Sequence, residues 1–144
     1  SIKPDVVIGP DHKLYPESHP DHLRVGEAVS KAYFMCSNVN MMKSVGATQI
    51  AKPTVLAYYF TGKPNRFVKI TKKDFEKTKA AYACFVSQCP PPDNGKSLML
   101  YMRLKVRLNG LRSFHIRADA FRVMNNMHIH CCGEAEDTAI RRPL

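Results

Sequence analysis

Residues 98–108 read Leu98-Met99-Leu100-Tyr101-Met102-Arg103-Leu104-Lys105-Val106-Arg107-Leu108. Leu98, Leu100, Met102, Leu104, Val106 and Leu108 alternate with Met99, Tyr101, Arg103, Lys105 and Arg107. A period of two sustained over that stretch predicts a β-strand with one apolar face and one face that becomes strongly basic. Asn109-Gly110 follows directly and reads as a tight turn. Beyond it Ile116, Ala120, Val123 and Met127 recur at helical spacing, widened by Phe121 and Met124, with Ser113 as a candidate cap. His128–Cys132 reads as a final short strand, and residues 133–144 as a polar tail.

Upstream, residues 1–22 read as an irregular leader. Val6–Ile8 has strand character, but Pro4, Pro10, Pro16 and Pro20 interrupt, and proline lacks the N–H that a ladder needs. Val25, Ala28, Val29, Ala32 and Cys36 then repeat at three and four residues, which predicts a helix with Asp21 as N-cap and Gly26 as a weak point. Ser37–Gly46 reads as a loop. Pro53–Phe60 is β-branched and aromatic and predicts a buried strand. The turn at Thr61–Asn65 leads into Arg66–Ile70 as its partner strand. Thr71 and Asp74 stand at capping-box spacing ahead of a helix from Lys72 to about Ala83, although a strand over Ala81–Val86 competes with its end. Cys89–Gly95 is a proline-rich loop. The expected fold class is α+β, an antiparallel, sandwich-like sheet carrying two or three helices, in one domain spanning residues 1–144.

The chain has 144 residues, 44% apolar and 24% charged, with a net charge of +10. Such a composition builds a globular core. No apolar run is long enough for a membrane span, and no signal-peptide pattern opens the chain. The charge is concentrated: residues 63–122 carry fourteen basic and four acidic side chains, whereas the flanks nearly balance. Lys69, Lys72, Lys73 and Lys77 with Arg103, Lys105, Arg107, Arg112, Arg117 and Arg122 form a candidate surface for phosphate backbones or anionic lipid head groups. The residue pattern leaves RNA and lipid open.

Five cysteines, an odd number without scaffold spacing, point to a reducing compartment. Cys84 and Cys89, and His128 with His130, Cys131 and Cys132, lack the paired knuckles of a zinc site, so no metal and no cofactor are expected. Asp11-His12 with His19, Asp21 and His22 is a second cluster with ligand chemistry, read here as a solvated loop. There is no G-x-S-x-G, Walker A or G-x-G-x-x-G motif, and paired carboxylates are scarce, so no enzyme is expected.

The run YMRLKVRLNG, a short basic link, IRADAFRVMNNM and a polar tail resemble the ends of matrix proteins of nonsegmented negative-strand RNA viruses, bornaviruses and rhabdoviruses among them. The resemblance covers roughly Leu98–Ile140. It implies a self-assembling, non-enzymatic structural protein of the virion and host-cell interior, lying beneath an anionic membrane and contacting RNA or ribonucleoprotein. Crowded apolar residues then serve homo-oligomer contacts: Tyr33, Phe34, Met41, Met42, Tyr58 and Phe60. The alternative is a non-viral nucleic-acid-binding module of OB type on the strands Val55–Ile70 and Leu98–Leu108.

Overall fold

A computed structural model describes residues 2–14, 19–125 and 128. In chain order the elements are β1 (Val6–Pro10), α1 (Pro20–Met35), α2 (Val39–Ser44), β2 (Val55–Tyr59), β3 (Arg66–Lys69), α3 (Lys72–Ala83), α4 (Lys96–Arg112) and β4 (Ala118–Met124). A single 3₁₀ turn lies at Val86–Gln88. The strands form one four-stranded sheet in the order β1-β2-β4-β3.

The sheet is mixed, so the expectation of an antiparallel one is corrected. β1 runs parallel to β2, with Val6 opposite Val55 and Pro10 opposite Tyr59. β2 runs antiparallel to β4, with Tyr58 opposite Arg122. A parallel pair needs a long crossover, and here α1 and α2 supply it. The leader therefore contains a structural strand. Pro10 ends β1, and the ladder continues one residue further where the Asp11 N–H donates to the Tyr59 carbonyl at 2.9 Å. The predicted partner strand at Arg66–Ile70 exists, but its neighbour in the sheet is β4 and not β2. Ser37–Gly46 contains α2, which starts where the Asn38 side chain accepts from the N–H groups of Asn40 and Met41.

By its contacts the chain divides into two compact units, Ser1–Arg66 with Phe121–Leu144, and Phe67–Ala120. In the first, α1 lies on β1 and β2. Tyr33, Leu56, Tyr58 and Met124 form its core, with Val7 and Val29 packed against them. α1 forms where the spacing predicts a helix, but the residues it buries are Gly26 and Tyr33, with Val29 against the core, while Val25, Ala28 and Ala32 of the predicted stripe are exposed; the N-cap position is His19 and Asp21 sits in the first turn. Tyr33 and Tyr58, at 1% and 0% exposure, are core residues, which withdraws both as self-association contacts. Of the other residues expected there, Phe34, Met42 and Phe60 are half-buried and Met41 is exposed.

In the second unit, α3 begins on the capping box seen in the sequence. Thr71 Oγ1 accepts from the Asp74 N–H at 3.2 Å, and the Asp74 carboxylate accepts from the Thr71 N–H at 3.0 Å. The stretch at 98–108 is helix, not strand. It lies within α4, whose inward side carries the buried Val106, Asn109 and Gly110. Gly110 permits a close approach that a turn reading misses: a Cβ there would stand 2.6 Å from the His115 carbonyl oxygen. The helix predicted over Ile116–Met127 is instead β4, with a strictly alternating burial pattern. The strand expected at His128–Cys132 lies outside the described residues apart from His128. No helix among the described residues is long and apolar enough to cross a membrane.

Candidate functional site

The carboxyl ends of the parallel strands β1 and β2 meet the first turn of α1. In α/β sheets that crevice is where ligands bind, because helix N-termini and loops converge there on one side of the sheet. Three pieces of sequence converge at this point: Asp11-His12 after β1, His19–His22 at the start of α1, and Tyr58–Phe60 at the end of β2.

A buried ion pair stands at the end of β1. Arg122 Nη2 donates to Asp11 Oδ1 at 2.6 Å, and the two side chains are 3% and 4% exposed. The pair joins β4 to the residue after β1. The Lys13 N–H donates to the same carboxylate oxygen at 3.0 Å and turns the chain away from the sheet. The Arg122 guanidinium lies over the Tyr58 ring, 4.9 Å from its centroid. Tyr58 Oη is 2.6 Å from Ser30 Oγ, and Ser30 Oγ donates to the Gly26 carbonyl at 2.7 Å. With its one hydrogen so engaged, the serine accepts from the tyrosine. Burial pushes the Tyr58 hydroxyl above its ordinary pKa, with the Ser30 bond and Arg122 opposing. The phenol therefore stays protonated and donating at neutral pH.

His12 stands edge-on to Tyr58, with ring centroids 5.7 Å apart. Its Nδ1 is buried without a hydrogen-bond partner. Burial holds the imidazole pKa below 6.5; Asp11 opposes this, and Lys13 and Arg122 add to it. Gly26 makes room for this corner. A Cβ there would lie 2.6 Å from the Pro10 carbonyl oxygen and 2.8 Å from His12 Cβ, so only glycine lets α1 approach the end of β1 so closely.

His19 and His22 stand side by side at the helix start, with ring centroids 4.8 Å apart and planes tilted by 33°. His22 also faces Phe60 at 6.1 Å. His19 is exposed and His22 half-buried, so both are reachable from solvent. Two adjacent imidazoles can move protons or share a cation. Among the described residues no group of three His, Cys, Asp or Glu is gathered to hold a metal.

The structure places the predicted basic residues as follows. Lys69 is on β3; Lys72, Lys73 and Lys77 are on α3; all four are exposed. Arg103, Arg107 and Arg112 are exposed on α4, while Lys105 and Arg117 are half-buried. The strip of Arg103, Lys105 and Arg107 does not exist as predicted, because residues two apart on a helix point about 200° apart. Arg122 is 2% exposed and bound to Asp11, so it is no part of a surface. The residues that sequence reasoning passed over are His19 and His22. Their signal was present: a dense His/Asp cluster between a strand and a helix, discounted because the prolines read as loop.

In both sequence and structure the chain is similar to enzymes named as deacetylases. The particular relatives are two archaeal enzymes. The chain is 31% identical over 134 residues to a diacetylchitobiose deacetylase of Thermococcus kodakarensis, covering 90% of this chain and 49% of that protein. It superposes with a TM-score of 0.78, at 28% identity, on the N,N'-diacetylchitobiose deacetylase of Pyrococcus horikoshii, solved with an inhibitor; the match covers 91% of this chain and 49% of that one. The chain thus spans about half the length of the relatives it matches. No family model matches.

These likenesses overturn the viral matrix reading and the nucleic-acid-module alternative, and with them the expectation of a non-enzymatic protein. RNA, anionic membrane and homo-oligomer partners lose their support, and so does a place in the virion, since the relatives are archaeal enzymes. The resemblance to viral matrix proteins rested on a strand and a helix that the structure replaces with a helix and a strand.

Proposed function

We propose that this chain belongs to a deacetylase that removes an acetyl group from an N-acetylated amino sugar, with His19 and His22 at its reacting centre. The observation that carries the reading is the joint likeness to diacetylchitobiose deacetylases, 31% identity over 90% of the chain and a TM-score of 0.78. The geometry supports it by setting two solvent-reachable imidazoles at the carboxyl ends of parallel strands.

Hydrolysis breaks the amide C–N bond: water adds its oxygen to the acetyl carbon, the nitrogen leaves as an amine with a proton, and acetate departs. The water must lose a proton and the leaving nitrogen must gain one. A pair of imidazoles serves both transfers. The same pair can instead hold a divalent cation that acidifies the water, which calls for a third ligand beyond these two nitrogens. The Asp11–Arg122 pair, Tyr58 and Ser30 do not enter these steps. They tie the end of β1 to β4 and the end of β2 to the middle of α1.

The test is acetate release from N,N'-diacetylchitobiose, with and without added zinc. His22→Ala and His19→Ala are each expected to lower the rate by about 10²-fold or more, the scale of a lost acid–base group, with an unchanged circular dichroism spectrum. Zinc dependence separates the two routes to the activated water. A protein that releases no acetate overturns the reading, and a fully active His22→Ala variant overturns the site.

A further inference from the structure

The His22 imidazole lies near two other rings: His19 at 4.8 Å with planes tilted by 33°, and Phe60 at 6.1 Å with planes tilted by 32°. Both separations are in the range at which aromatic rings pack. His19 belongs to the same helix start, whereas Phe60 comes from the end of β2. Phe60 is also strained. Its φ is +51°, in the left-handed region, where a Cβ crowds the backbone and glycine or asparagine is the usual occupant. β2 ends at Tyr59, so this turn follows the last strand residue directly. Gly62 stands two residues on, yet among the described residues the glycines with positive φ are Gly46 and Gly95.

Such strain persists only where the surroundings over-determine it. Two contacts do so here. The Tyr59 carbonyl accepts from the Asp11 N–H at 2.9 Å, which anchors the backbone just before the turn. The Tyr59 ring stands T-shaped to that of Phe60, with centroids 5.0 Å apart. Core packing does not account for the phenyl ring, since Phe60 is half-buried and stands outside the cluster of Tyr33, Leu56, Tyr58 and Met124.

We propose that Phe60 is a positioning residue: its left-handed backbone sets the phenyl ring beside His22, and the ring keeps the His22 imidazole in a single orientation. A half-buried imidazole in the first turn of a helix otherwise has more than one staggered rotamer open to it. A group that transfers protons must stay within a narrow range of distance and angle. The phenyl ring restricts the imidazole by bulk and brings no proton of its own. This inference rests on the reading of His22 as a reacting group, and its test reads the imidazole itself as well as the rate.

The experiment compares the full chain with Phe60→Tyr, Phe60→Leu and Phe60→Gly. The Hα–Hβ couplings of His22, measured by NMR, report its χ1 distribution. One rotamer is expected in the unaltered chain and in Phe60→Tyr, which keeps the ring. Averaged couplings are expected in Phe60→Leu and Phe60→Gly. Glycine suits the left-handed turn, so Phe60→Gly relieves the backbone while removing the ring, and it keeps the test decisive if Phe60→Leu fails to fold. In acetate release from N,N'-diacetylchitobiose, kcat is expected to fall about tenfold or more in these two variants, with KM within about twofold, and Phe60→Tyr is expected to restore it. Averaged couplings in the unaltered chain, or a single rotamer retained in Phe60→Gly, overturn the proposal. So does a rise in KM with kcat unchanged, which makes the ring a substrate contact. Absence of acetate release from the unaltered chain defeats the deacetylase reading, and the couplings then decide by themselves whether Phe60 holds His22.

Discussion

Replacing Arg122 by methionine tests whether the corner that holds the imidazoles rests on a buried charge. The side chain keeps most of its length and packing, so little cavity opens. The guanidinium is lost, and with it the 2.6 Å bond to Asp11 and the contact 4.9 Å from the Tyr58 ring. Asp11, 4% exposed, loses its buried partner and keeps only the donation from the Lys13 N–H. Leaving one partner of a buried pair unmatched costs about 3–5 kcal/mol, of which the lost cation–π contact is about 1. That is a large share of a stability of roughly 5–15 kcal/mol. In urea, with a slope of about 2 kcal/mol per molar, the midpoint falls by roughly 2 M. Equilibrium unfolding followed by circular dichroism reads this directly, with an unchanged slope. Arg122→Met combined with Asp11→Asn removes both charges and keeps an acceptor for the Lys13 N–H. The double variant is expected to recover about 2 kcal/mol of the single variant's loss, a coupling typical of residues in direct contact. A single variant that costs less than about 1 kcal/mol, or two changes that simply add, refutes the buried-pair account.

Gly26→Ala ordinarily helps a helix by about 1 kcal/mol, but here the new Cβ meets the Pro10 carbonyl oxygen at 2.6 Å. A net loss of about 1–3 kcal/mol is expected from the forced shift, read as a lower melting temperature, and a stabilised variant contradicts the close approach. The pKa of His12 lies below 6.5 in the folded protein because burial disfavours its charged form. The unfolded chain therefore binds more protons just below pH 6.5. Stability from this group is complete above that pH and is lost as pH falls toward the folded value. His12→Gln is expected to flatten the stability profile between pH 7.5 and 5, measured by urea midpoints, and an unaltered slope counts against a neutral, buried imidazole.

The functional corner was partly visible in the sequence. Asp11, His12, His19, Asp21 and His22 could be seen as a cluster, yet nothing local shows that the strand before them pairs parallel with Val55–Tyr59. That pairing makes their position a crevice at strand ends and not a solvated loop. The basic block from Lys63 to Arg122 drew attention because charge is legible from composition. Most of it is ordinary exposed charge on α3 and α4, and its last member is buried.

By itself the sequence determined the elements whose signals are local. α1 follows from apolar residues recurring at three and four from Val25 to Cys36, although the face it buries, at Gly26 and Tyr33, is offset from that stripe. α3 follows from the Thr71–Asp74 capping box, whose two reciprocal bonds involve only neighbouring residues. β2 follows from a run of β-branched and aromatic residues that has no polar face to offer water. Two elements were left for the tertiary structure to decide. In α4, leucine and valine satisfy a period of two and a spacing of four together, so periodicity does not discriminate. What decides is the buried side at Val106, Asn109 and Gly110, where a bare glycine lets the backbone at His115 come close. In β4 the residues that face inward are Ala118, Ala120, Arg122 and Met124. An arginine in that row hides the alternation from any hydrophobicity reading. It belongs there only because Asp11, 111 residues earlier in the chain, is brought to meet it. A contact that distant has no local trace, and it is the one that ties the residue after β1 to β4.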